Sequence, residues 1–124
     1  MGCGCVVYSL TFLDHGGQTL ILYTAGDQSD LSDYTLEAVT LAGDPVTDLP
    51  ATFTAVRDPK CVSVSGDQVR AVMCDRSDHV TTLERGADGA WFRGTSYSSP
   101  SPSYTEAVTT TSDGGVALLT TVCY

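Results

Sequence analysis

The chain has 124 residues, 42% of them apolar, and carries 15 acidic against 6 basic side chains, for a net charge of −9 at pH 7. That length suits a single domain, 1–124, with one packed core, and the carboxylate excess with a single lysine, Lys60, argues against nucleic acid and anionic membrane surfaces as partners. No stretch approaches the ~20 apolar residues of a membrane helix; the run Cys5–Leu13 lacks the basic flank and cleavage site of a signal peptide, so it reads as a retained first strand and the default compartment is the cytoplasm.

Taken in order, Met1-Gly2-Cys3-Gly4-Cys5 resembles the start of dually acylated proteins, but Val6 stands where Ser or Thr is wanted, and a plain strand start is preferred. Residues 5–13 alternate Val6, Tyr8, Leu10 and Phe12 on one face with Val7, Ser9 and Thr11 on the other, the pattern of a half-buried strand. Asp14-His15-Gly16-Gly17 is a turn. Thr19–Ala25 is apolar on both faces, which suits a central strand. In the acidic loop that follows, Asp27, Asp30 and Asp33 recur at every third position. Calcium needs several oxygens converging from a tight loop; here the EF-hand spacing is absent and Leu31 interrupts, so turn chemistry is the better account and no metal is expected. Tyr34–Leu41 reads as a strand, 42–50 as a loop, and Ala51–Arg57 as another strand before the turn Asp58-Pro59-Lys60.

Cys61 to Gly94 reads as an up-and-down meander of four strands, the shape of a propeller blade or of one half of a sandwich. With Asp67-Gln68 at the tip of its first hairpin, Val62 faces Met73, Val64 faces Ala71, and Cys61 faces Cys74. A slip of one residue mixes apolar and polar sets, so the pattern favours this register. The cysteine pair has two open states, a cross-strand disulfide or two buried thiols. Five cysteines with no Cys-x-x-Cys suit neither a closed disulfide framework nor a zinc site, and favour a reducing compartment; Cys3 or Cys5 beside Cys123 is an alternative pairing.

Beyond a Ser- and Pro-rich connector at 98–103, Tyr104–Thr111 and Val116–Tyr124 form a last hairpin around Ser112-Asp113-Gly114-Gly115. No segment shows helical periodicity. The fold class is all-β, built of antiparallel four-stranded meanders; propeller-like blades are the preferred architecture and a β-sandwich or barrel the alternative. Glycine turns at 16, 66 and 114 recur about every 50 residues, near the period of a four-stranded blade.

The segment 69–119 resembles the fucose-binding lectins built as small β-propellers. Val69-Arg70-Ala71-Val72, then Val80 to Glu84, Asp88-Gly89-Ala90-Trp91 and Gly94 follow the order of their blade motif, and Ser101-Pro102-Ser103-Tyr104 with Glu106-Ala107-Val108 looks like the link into a next blade. The resemblance implies that Arg70 and Glu84 hydrogen-bond a sugar while Trp91 offers a stacking face. Glu84 falls about two residues late, with Thr82 at the family position, and Asp88 to Trp91 is one residue tighter. Ile21 and Ala117 stand where other repeats would carry the arginine.

The residue types agree with that implication, because sugars stack C–H faces on aromatic rings while their hydroxyls need charged or amide partners. The structural alternative is Trp91 in a core with Arg70 and Glu84 merely solvated. His15 and His79 are the only histidines, and no nucleophile motif such as Gly-x-Ser-x-Gly appears, so no enzyme is expected. The expected function is a non-catalytic, lectin-like carbohydrate-binding module without cofactor, assembled as a homo-oligomer because partial propellers leave open edges. The alternative is a structural or protein-interaction β-domain with no small-molecule site.

Overall fold

A computed structural model describes residues 5–27, 34–75, 79–98 and 103–122. Strands β1 (Cys5–His15), β2 (Gln18–Asp27), β3 (Tyr34–Thr40) and β4 (Pro45–Val46) form a first sheet. Strands β5 (Pro59–Val64), β6 (Arg70–Asp75), β7 (His79–Arg85) and β8 (Trp91–Ser98) form a second, and β9 (Ser103–Thr110) pairs with β10 (Val116–Val122). In both four-stranded sheets the spatial order is the chain order, all pairings are antiparallel, and among the described residues no sheet closes into a barrel. The all-β class and the central meander therefore stand. The notions about Met1–Gly4, Asp30, Asp33 and Cys123 lie outside the described residues.

Local chemistry sets these elements. The β1–β2 hairpin turns through Gly16 and Gly17, at φ 61° and 82°, with His15 paired to Gln18. A two-residue turn that matches strand twist needs positive φ at both positions, which glycine adopts without steric cost. The β5–β6 register is the one the apolar pattern favours: Val62 opposes Met73, Val64 opposes Ala71, and Cys61 opposes Cys74. Of the two states open to that cysteine pair, the structure has the disulfide, across a Cα–Cα distance of 5.2 Å.

The central sheet is buried on both faces. Val62, Val64, Ala71, Met73 and Leu83 meet Leu13, Leu20 and Leu22 of the first sheet. On the reverse face Cys61, Val72, Cys74 and Val80 meet Val108, Val116 and Leu118 of the hairpin. The molecule is thus three layers deep, with β5–β8 in the middle.

Two expectations are corrected. Ala51–Arg57 is not a strand: Ala51–Thr54 is one helical turn, α1, behind Pro50, and Phe53 on it is fully buried against the core. Proline has no N–H to lose and a φ preset for a helix start. The segment 42–50, read as loop, also contributes the two residues of β4.

The faces of β1 are corrected as well. A bulge between Val7 and Ser9 breaks the alternation, so Val7 joins Leu10 and Phe12 on one face while Tyr8 turns to meet the Tyr34 ring edge-on at 5.0 Å. The apolar face is the outer one: Val7, Leu10 and Phe12 are 59%, 60% and 55% exposed. The inward face carries Ser9 and Thr11, and the reason is the edge of β5. Val62 N–H donates to Ser9 Oγ at 2.9 Å and Val64 N–H to Thr11 Oγ1 at 3.0 Å, while Thr24 Oγ1 donates to Lys60 O at 2.8 Å. Hydroxyls of the first sheet satisfy backbone groups that an edge strand would otherwise bury unpaired. The edge of β1 is closed in the same way: the Gln68 side-chain amide accepts from Asp14 N–H at 2.9 Å and donates to Phe12 O at 3.2 Å, like a short piece of neighbouring strand.

Candidate functional site

Arg70 opens β6 and pairs in register with Glu84 on β7, which pairs in turn with Phe92 on β8. All three side chains stand on the hairpin-facing side of the central sheet. Between that side and the β9–β10 turn lies a cavity of about 190 Å³, lined by Arg70, Thr82, Glu84, Thr95, Thr110 and Gly115 among others. This is smaller than the ~300–1,000 Å³ of common ligand pockets, with room for one ring-sized group.

Arg70 is held from two turns. Its Nη2 donates to Thr111 O at 3.2 Å, tying the β9–β10 turn to the central sheet. Its Nη1 is buried and has no hydrogen-bond partner among the described residues. It lies close over Gly114, 3.0 Å from where a Cβ would stand. Glu84 is exposed and forms no ion pair with Arg70 within 4.0 Å. Its Oε2 sits over Gly94, where a Cβ would come within 3.7 Å of it and 2.6 Å of Thr82 Oγ1. The groove thus offers cationic donors, a carboxylate acceptor and threonine hydroxyls.

The two turns beside Arg70 are built alike. Ser65 Oγ donates to Asp67 Oδ1 and accepts from Arg70 N–H at 3.0 Å. Thr111 Oγ1 donates to Asp113 Oδ1 and accepts from Gly115 N–H at 2.9 Å. These hydroxyl bonds, first among several causes, hold both aspartates below the ordinary carboxylate range, and the Arg70 charge adds to the effect on each.

The structure brings Arg70 and Glu84 together and does not bring Trp91 to them. Trp91 pairs with Arg85, one residue on from Glu84, and so projects from the opposite face of the sheet. It is 8% exposed, with the Phe53 ring edge-on at 5.1 Å and the Arg85 guanidinium 5.3 Å from its centroid. Phe92, 50% exposed, is an aromatic residue that does share the Arg70–Glu84 face. Strand parity across the Gly86–Ala90 turn is the sequence signal that points to Phe92 and away from Trp91.

No protein-family model, curated protein or solved structure matches the chain.

Proposed function

We propose that this chain is a non-catalytic, lectin-like module that binds a sugar-sized polyhydroxylated ligand in the Arg70–Glu84 groove. The observation that carries this reading is the buried Arg70 Nη1 with no hydrogen-bond partner among the described residues, beside the exposed Glu84 carboxylate. A buried charged donor left unpaired costs well over 1 kcal/mol, and vicinal hydroxyls offer the donor and acceptor pair that would relieve it. Phe92, rather than Trp91, is the apolar surface available beside that pair.

We further propose that the sheets are blades of an incomplete propeller closed by other copies of this chain. Supporting this, each sheet is a meander in chain order, and the opening strands β1, β5 and β9 lie side by side. Both ends of the stack also expose apolar surface. The outer face of the first sheet presents Val7, Leu10, Phe12, Ile21, Tyr23 and Val39, with Asp14 and Glu37 the charges among the described side chains; the outer face of the hairpin presents Ala107, Thr109, Ala117 and Leu119. Two largely apolar faces on a chain of net charge −9 suit head-to-tail contact between copies, the kind of contact that forms a ring where its rotation closes. Glu37 is partly absorbed there: it accepts from Tyr23 Oη at 3.4 Å, and burial, followed by that carboxylate, raises the phenol above its ordinary range.

Light scattering at micromolar concentration tests the assembly, and a glycan array followed by calorimetry tests the site. The expected result is a discrete oligomer and a sugar ligand whose binding is lost in Glu84→Gln at unchanged melting temperature. A ligand that binds Glu84→Gln as well as the parent chain would sink the site. A monomer would sink the ring. A discrete oligomer with no ligand would favour the second reading, a protein-interaction domain acting through the outer face of the first sheet.

A further inference from the structure

The bulge in the β7–β8 pairing gathers a second set of polar side chains. Thr81 pairs with Ser96 and Leu83 with Arg93, so one residue of β7 spans two of β8, Gly94 and Thr95. In a regular strand, residues three apart point to opposite faces. The extra residue instead puts Arg93, Ser96 and Ser98 on one side, and Arg93 Nη2 reaches Ser96 Oγ at 3.4 Å. Gly94 is required at this bulge, since a Cβ there would stand 2.6 Å from Thr82 Oγ1. This side of β7–β8 is the one covered near Trp91 by α1, and beyond α1 it opens into a cleft of about 430 Å³. Arg57, which follows α1, lines its far wall; His79, Thr81, Arg93, Ser96 and Ser98 line the sheet side.

The charge arrangement is unusual for this chain. Fifteen acidic residues surround six basic ones, yet Arg57 and Arg93 form no ion pair with a carboxylate of the described residues. Among the described residues that line the cleft, the carboxylate is Asp75, and it reaches His79: it accepts the His79 backbone N–H at 3.0 Å and lies 3.4 Å from Nδ1. Two guanidinium groups without a carboxylate partner among the described residues, the imidazole beside Asp75 and three hydroxyls therefore line one space.

We infer that the cleft of Arg57, His79 and Arg93 is a binding site for a tetrahedral oxyanion, the phosphate or sulfate group of a small molecule. Guanidinium forks match the oxygens of such groups with paired, charge-assisted hydrogen bonds, and hydroxyls complete the shell. The site is separate from the Arg70–Glu84 groove, which lies on the other face of the same sheet, so each stands or falls alone.

The test is proton NMR of the full chain, titrated with inorganic phosphate, with sulfate and with glycerol phosphate at constant ionic strength held by chloride. Only two imidazoles are present, His79 in the cleft and His15 outside it, bonded to Asp48 O at 2.9 Å. The expected result is a saturable shift of the His79 ring protons with His15 unmoved, and a loss of about tenfold or more in affinity for Arg93→Ala, whose exposed side chain is not needed for folding. Arg93→Lys is expected to recover part of the loss. Tighter binding of glycerol phosphate than of phosphate would assign the site to an ester; equal binding would assign it to the free ion. Equal movement of both histidines, a response no larger than that to chloride, or unchanged affinity in Arg93→Ala would overturn the inference.

Discussion

In β6, Ala71 and Met73 point into one core while Val72 and Cys74 point into another; in β1, Ser9 and Thr11 point inward while Leu10 and Phe12 face solvent. The two sheets have the same strand order and bury different chemistry. The difference follows from what lies across from each strand. β6 has hydrogen-bonded neighbours on both sides, so its side chains are free to serve packing alone. β1 lies against the edge of β5, whose N–H groups need acceptors, and its inward side chains are spent on them. Leaving a large apolar side chain exposed forgoes about 1.5–3 kcal/mol, while leaving a buried N–H unpaired costs about 1–3 kcal/mol. The two demands are of similar size, so the outward apolar face is a tolerable arrangement in one copy and a favourable one if a second copy covers it.

The largest expected contrast is between a central and an outer truncation. Met73 is fully buried, and Met73→Ala should lower unfolding free energy by about 2–5 kcal/mol. Phe12→Ala, on the outer face, should stay within about 0.5 kcal/mol at concentrations where the chain is monomeric, and should weaken association where it is not. Denaturant unfolding at two protein concentrations measures both. An equally large, concentration-independent loss for Phe12→Ala would show that the first sheet is packed on both faces and would erase the contrast.

A finer test replaces Thr11 by valine. The shape is kept and hydrophobicity rises, so packing alone predicts a gain. Because Val64 N–H donates to Thr11 Oγ1, a loss of about 1–3 kcal/mol is expected instead. Hydrogen exchange at the Val64 amide should accelerate in the variant, whereas an unchanged rate would mean that the hydroxyl is not what holds the edge of β5.

The central sheet was legible because its hairpin carries a consistent apolar pattern: Val62, Val64, Ala71 and Met73 fall on one face in only one register, and that register also fixes Cys61 against Cys74. The faces of β1 were not legible. An apolar alternation states which side chains resemble one another, not which side meets protein, and the bulge after Val7 shifts the phase within the strand. Ala51–Arg57 misled for a similar reason, since Ala, Thr, Phe and Val suit a strand locally while Pro50 and the seat for Phe53 beside Trp91 favour a single helical turn. In the candidate site, Arg70 and Glu84 were named from the order of a blade motif, and the regular β6–β7 register sets them opposite each other. Trp91 was misjoined to them because a motif order in sequence ignores parity: Glu84 and Arg85 adjoin, and their partners Phe92 and Trp91 emerge on opposite faces.

The smallest predicted effect separates the turns. The β1–β2 turn relies on glycine backbone alone, whereas the β5–β6 turn and the β9–β10 turn, which also has Gly114 at positive φ, add the Asp67 and Asp113 carboxylates, which accept hydroxyl and backbone hydrogen bonds. Both aspartates titrate lower in the folded chain than the ~3.9 expected when unfolded. Between those values the unfolded chain binds more protons, so stability rises with pH. The contribution is fully present above about pH 4 and is lost as pH falls through the depressed folded values. Both carboxylates are exposed, so solvent screening keeps the effect modest. Urea midpoints between pH 6 and pH 2.5 should therefore fall less steeply in Asp67→Asn/Asp113→Asn than in the parent chain, with the two converging at the acid end. Parallel curves would mean that the carboxylate charge plays no part, and that the β5–β6 and β9–β10 turns, like Gly16-Gly17, are held by backbone geometry alone.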